Sequence, residues 1–151
     1  MKTMIITGGS SGIGKAAAQL FAEKGYKVYE LSRHGESAEG ITHIDCDVTV
    51  AVNCSDAVKR VIDECGTLDV LISNAGMGIS GAVEFTEESE ARRQFDVNFF
   101  GALNITQAAL PYLRTQLKAL IARDLWNMDE YFAIMNELND SVRRALELIK
   151  N

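Results

Sequence analysis

The chain has 151 residues, 47% of them hydrophobic and 24% charged, with a formal net charge of -6. That length and balance fit one ordinary globular domain with a sizeable core and exclude a disordered polymer. An acidic chain without clustered Lys and Arg offers no surface for nucleic acid or an anionic membrane, and no apolar run is long enough to span a bilayer.

The first element is a strand, Thr3 to Thr7, whose apolar Met4, Ile5 and Ile6 lead into Gly8, Gly9, Ser10, Ser11, Gly12, Ile13 and Gly14. A helix from Gly12 to Lys24 follows directly. Glycines are needed there because the backbone must turn sharply and approach a pyrophosphate, which the first helical N–H groups and the helix dipole then face. Lys27 to Ser32 and Thr42 to Asp45 read as strands, Val50 to Glu64 as a helix, and Leu68 to Ser73 as a fourth strand. This alternation predicts a parallel sheet with helices on both faces. Gly25 and Gly66 stand just beyond the helical patterns, where helix-ending glycines belong.

From Thr86 a polar start with Glu87, Glu88 and Glu90 opens a long helical stretch through Phe95, Phe99, Leu103 and Leu110, with Pro111 as a kink. All twelve glycines lie at or before Gly101. Leu103, Thr106, Leu110, Leu113, Leu117 and Leu120 form one stripe at alternating spacings of three and four, and Met128 through Ile149 form another. Asn127 with Glu130 makes a capping pair between them, which predicts a helical hairpin. Cys46, Cys54 and Cys65 are odd in number and without metal-type spacing, so they read as reduced thiols. Met1 to Met4 enter the first strand with no signal-peptide pattern, and a cytoplasmic setting is the expectation. His34 and His43 lack partners at a metal-ligand spacing and read as plain surface or strand residues; no metal is expected.

From Thr3 to about Gln116 the chain resembles the short-chain dehydrogenase/reductase family. Thr7, Gly8, Gly12 and Gly14 match its cofactor loop, Asp47 and Val48 its adenine-contacting pair, Asn74, Ala75 and Gly76 its post-strand motif, and Asn98 its helix asparagine. The resemblance implies a Rossmann-like three-layer αβα fold of strand order 3-2-1-4, with a dinucleotide across the carboxyl ends of the strands. It further implies that Gly8, Ser10, Ser11, Gly12, Ile13 and Gly14 cradle phosphates, that Asp47 and Val48 meet the adenine, and that Asn74, Ala75 and Gly76 face the ribose and tie the central strands. A hydrogen bond between Thr7 and Asn74 is expected. At the end of the second strand Ser32 and Arg33 stand where an NAD-selective member has a carboxylate. A guanidinium suits a 2′-phosphate, so NADP is the expected cofactor, with NAD admitted and Lys15 and His34 as further charge.

The family's chemistry uses a tyrosine, a lysine four residues later and a serine on the preceding strand. Tyr26, Tyr29, Tyr112 and Tyr131 are followed at that spacing by Glu30, Arg33, Gln116 and Met135. Asn98 alone stands at a catalytic position, in a role more structural than catalytic. The expectation is a dinucleotide-binding part over 1–116 and a helical extension over 117–151, a truncated member or a built chimera that does not catalyse hydride transfer alone. The extension is expected to cover the apolar edge at Val70, Leu71 and Ile72, within one chain or in a homodimer. The alternatives are an NADP-dependent oxidoreductase completed by another chain, and a structural scaffold that binds nothing.

Overall fold

Short β-branched and apolar runs bounded by glycine turns form four strands in a computed structural model whose described residues are 1–113. They are β1 (Thr3–Thr7), β2 (Lys27–Ser32), β3 (Ile41–Asp45) and β4 (Val70–Ile72). All pairings are parallel, and the order is β3-β2-β1-β4. Helices α1 (Gly12–Glu23) and α2 (Ala51–Cys65) supply the β1–β2 and β3–β4 crossovers. Gly25 and Gly66 follow them with φ of 79° and 75°.

Alternation along the strands divides the core. Met4, Ile6 and Val28 pack with Ala18, Phe21 and Ala22 of α1 on one face. Tyr29 lies on the opposite face, where its hydroxyl donates to Glu64 Oε2 of α2 at 2.7 Å. Burial, and then the bonds to Cys65 and Glu64, push the Tyr29 phenol far above its ordinary range, so it stays protonated. A sheet covered on both sides in this way has near-continuous apolar strands, and β1 is buried at every position.

Two elements differ from the sequence expectation. The fourth strand is shorter than Leu68 to Ser73, because side chains enter the ladder at both ends; at the first, the Asp69 N–H still donates to the Thr3 carbonyl at 2.9 Å. The Thr3 N–H donates to Asp69 Oδ2 at 2.9 Å, and the Asn74 N–H donates to Thr7 Oγ1 at 3.0 Å. The long helix after Thr86 is broken into α3 (Glu88–Phe95), a π turn (Asp96–Gly101), α4 (Ala102–Ala109) and a 3-10 turn (Leu110–Tyr112) that contains Pro111. α4 packs beside α2: the Asn104 side-chain amide donates to the Val48 carbonyl at 2.9 Å. The stripes beyond Leu113, the hairpin, the edge cover and the 116/117 boundary lie outside the described residues. No helix among the described residues is long and apolar enough to cross a membrane.

Candidate functional site

The carboxyl ends of the four strands open into one cleft of about 760 Å³. Gly8 and residues 10–14 line it from the β1–α1 turn, Ser32 and Arg33 from the end of β2, Asp47 and Val48 from the turn after β3, and Asn74, Ala75 and Gly76 from the turn after β4. Segments far apart in sequence meet because parallel strands all end on the same side. His34 also lines the cleft. Lys15 is exposed in the first turn of α1 and is not part of this lining.

The glycine turn is held against its neighbour at backbone distance. Gly8 has φ +66°, and a Cβ there would lie 2.9 Å from the Ala75 Cα. A Cβ on Gly14 would collide with the Gly8 carbonyl oxygen and the Asn74 amide. A side chain at either place would push the turn off the Asn74–Ala75 loop; packed this closely, the turn leaves the start of α1 without a side-chain cap and its first N–H groups open to a phosphate, which fits a dinucleotide.

Thr7 and Asn74 fasten the turn. The Thr7 hydroxyl oxygen accepts from the N–H groups of Asn74 at 3.0 Å and Ala75 at 2.9 Å, while Asn74 Nδ2 donates to the carbonyls of Thr7 at 3.0 Å and Gly8 at 3.2 Å. The Asn74 amide is thus committed to glycine-loop carbonyls as well as lining the cleft. Asp47 Oδ1 accepts from the Thr49 hydroxyl at 2.7 Å and the Thr49 N–H at 2.9 Å. These bonds, with Arg33 and Arg93 beyond them, hold its carboxyl below the usual carboxylate range despite partial burial. Val48 is buried, and Gly101 allows the π turn to press on it: a Cβ on Gly101 would lie 2.6 Å from Val48 Cγ2.

Asn98 sits in the π turn and clamps the loop after β4. Its Oδ1 accepts from the Met77 N–H and its Nδ2 donates to the Met77 carbonyl, both at 2.8 Å. Gln94 Oε1 accepts from the Ile79 N–H at 3.0 Å and extends the clamp. The extra residue per turn of a π segment re-aims the helix face, and such turns recur at functional sites.

Sequence reasoning missed part of the wall. Arg93, Asp96 and Val97 line the cleft from α3 and the π turn, at a three-and-four spacing that marks one helical face. Arg33 and Arg93 give the cleft two guanidinium groups, neither of them in a hydrogen bond or ion pair among the described residues. Cys46 is buried in the wall, and its contact with Cys54, then burial, pushes its thiol up, so it is no nucleophile there. His43 is also corrected: far from being a plain strand residue, it bonds to Glu30 and Asp45.

A family model described as short chain dehydrogenase matches residues 2–123. The chain belongs to this family. Among curated members, the 3-ketodihydrosphingosine reductase of Bacteroides thetaiotaomicron is 46% identical over 112 residues, covering 74% of this chain and 42% of that protein. The probable short-chain type dehydrogenase/reductase VdlC of Helicobacter pylori is 41% identical over 120 residues, covering 74% and 43%. Ligand-free aldohexose dehydrogenase of Thermoplasma acidophilum superposes with a TM-score of 0.70 at 39% identity, over 74% of this chain and 44% of that one. An ElxO variant with NADPH bound gives 0.69 at 28% identity, over 78% and 52%. The chain therefore spans about half the length of its short-chain dehydrogenase relatives, or less.

Proposed function

We propose that this chain is an NADP-preferring dinucleotide-binding part of a short-chain dehydrogenase, unable by itself to transfer hydride. The convergence of the glycine turn, Arg33, Asp47 and the Asn74 turn on one cleft carries the reading. In it, Gly8, Ser10, Ser11, Gly12, Ile13 and Gly14 hold the pyrophosphate, and Asp47 and Val48 flank the adenine. Asn74, Ala75 and Gly76 meet the ribose. Ser32 and Arg33 bind the 2′-phosphate, because a guanidinium held in no hydrogen bond or ion pair among the described residues presents paired donors to it, with Asp47 acting on it only through its charge. When bound, the nucleotide supplies hydride chemistry; these residues bind and orient it.

No tyrosine in these 151 residues is followed four positions on by lysine, so the acid–base pair the family resemblance implies is missing from this chain. Asn98 stands at a family catalytic position and serves the Met77 loop. Without a positioned proton donor the near-attack geometry has no partner, and turnover falls away. The free cysteines suit a cytoplasmic setting.

NADPH fluorescence titration tests binding. Saturation at micromolar to low-millimolar nucleotide is expected, and no saturable change at millimolar NADPH would overturn the reading. A second reading, an oxidoreductase completed by another chain, draws on the 46% identity to a keto-compound reductase. Steady NADPH oxidation by the chain with a panel of ketones, lost in Asn98→Ala, would establish it instead.

A further inference from the structure

Glu30 occupies the middle of β2 on the sheet face that α1 covers, between Ile6 of β1 and His43 of β3. It is 3% exposed, at a position where a doubly covered parallel sheet takes an apolar side chain. Its Oε2 lies 2.5 Å from His43 Nδ1, and His43 Nε2 lies 3.2 Å from Asp45 Oδ1. Glu30 Oε1 is buried with no hydrogen-bond partner among the described residues. A buried carboxyl group so placed is costly unless its charge is compensated.

Two loops of the cleft rest on this pair. A Cβ on Gly9, in the glycine turn, would lie 2.5 Å from Glu30 Cγ. A Cβ on Gly35, in the loop that carries Arg33 and His34, would lie 2.6 Å from His43 Nδ1 and 2.7 Å from Glu30 Oε2. The His43 N–H donates to Ser37 Oγ of the same loop at 2.9 Å, and Ser32 Oγ donates to the His34 carbonyl at 3.2 Å. The backbone of both loops is therefore stacked on one acid–imidazole pair.

We propose that Glu30 and His43 are positioning residues for the nucleotide phosphates, a buried pair whose proton sets how strongly the cleft distinguishes a 2′-phosphorylated dinucleotide from an unphosphorylated one. The inference rests on the reading of the cleft as an NADP site. With His43 protonated, its charge offsets that of Glu30 beneath the two loops. When the proton leaves, an uncompensated carboxylate remains under them and opposes an anion above. The charged groups against His43 are Glu30 from β2 and Asp45 from β3; the 33–37 loop contacts it through Gly35 and Ser37 and also bears Arg33, His34 and Glu36. Burial pulls the His43 imidazole down, and the bonds and charges of Glu30 and Asp45 more than offset this, so it titrates above its ordinary value. Preference for NADPH over NADH accordingly declines as pH rises through that titration, by about threefold to tenfold for one unit of charge so close to the loops.

The test titrates NADPH and NADH by fluorescence from about pH 6 to about pH 9 into the wild-type chain, His43→Gln and Glu30→Gln, and follows the His43 imidazole resonance in the wild type with and without each nucleotide. The 2′-phosphate of the free nucleotide titrates identically in all three series, so that part of the pH dependence cancels when their NADPH-to-NADH affinity ratios are compared. The wild-type ratio is expected to fall about threefold to tenfold further across this range than that of His43→Gln; in Glu30→Gln, where His43 still titrates but without its nearer anion, the fall is expected at lower pH, and NADPH is expected to raise the wild-type imidazole midpoint more than NADH does, as reciprocity requires. Saturable binding of both nucleotides with identical pH profiles, or with equal midpoint shifts, overturns the inference and leaves the cofactor reading standing. Saturable binding of neither nucleotide overturns both. If a variant does not fold, the wild-type resonance measurement decides alone.

Discussion

Arg33 and Gly14 show how differently single residues in this cleft act. Arg33 contributes through a guanidinium that lines the cleft and acts on Asp47 only through its charge, so Arg33→Ala removes paired donors without breaking a hydrogen bond among the described residues. NADPH affinity is expected to fall by about tenfold or more and NADH affinity by little. Equal losses for the two nucleotides, measured by fluorescence titration, would remove the phosphate role from Arg33. Gly14 acts by absence: Gly14→Ala drives a methyl into the Gly8 carbonyl and the Asn74 amide, neither of which can retreat without opening the Thr7–Asn74 tie. Thermal unfolding should report a loss of about 1–3 kcal/mol, with NADPH binding weakened alongside. The glycine turn was legible in the sequence because its requirement is local: a strand, a sharp turn and a helix start within a dozen residues. The Glu30–His43 pair was not, since it depends on β2–β3 register, which two isolated segments do not display.

Among the elements, the segment from α3 to α4 carries the largest departure from a periodicity-based reading. Apolar spacing from Phe95 to Leu110 describes a continuous helix, yet a π turn occupies Asp96–Gly101. The inserted residue brings Asn98 onto both polar groups of Met77 and sets Gly101 against Val48, satisfying a loop backbone and closing a packed contact at once. Such tertiary gains override local helical preference. Asn98→Ala should release that loop: hydrogen exchange at the Met77 amide is expected to accelerate about tenfold or more, with the β1–β2 ladder unchanged. An unaltered Met77 amide would show that Gln94 and the chain path hold the loop without Asn98. Arg93 escaped the sequence reading for a related reason, because a surface arginine on a polar helix has no distinguishing mark until the helix is laid across the strand ends.

Across the whole molecule, stability and binding share one titration. The folded-state His43 titrates above its ordinary value, so its contribution is fully present below about pH 6.5, the unfolded value, and is lost as pH rises through the folded one. The stability difference between the wild type and His43→Gln should therefore be largest in mildly acidic buffer and shrink towards pH 9, read from denaturant midpoints. A constant difference would mean that His43 matters by packing alone. The sequence alone determined the alternation of elements, the parallel sheet, the dinucleotide cradle and the family, because strand–turn–helix chemistry and hydrophobic period are written over short windows. Only the tertiary structure decided what lies beneath and beside that cradle, from the buried Glu30 and its imidazole to Arg93 and the Asn98 clamp. Those partners are separated along the chain and meet only through strand register and helix placement, which no local window encodes.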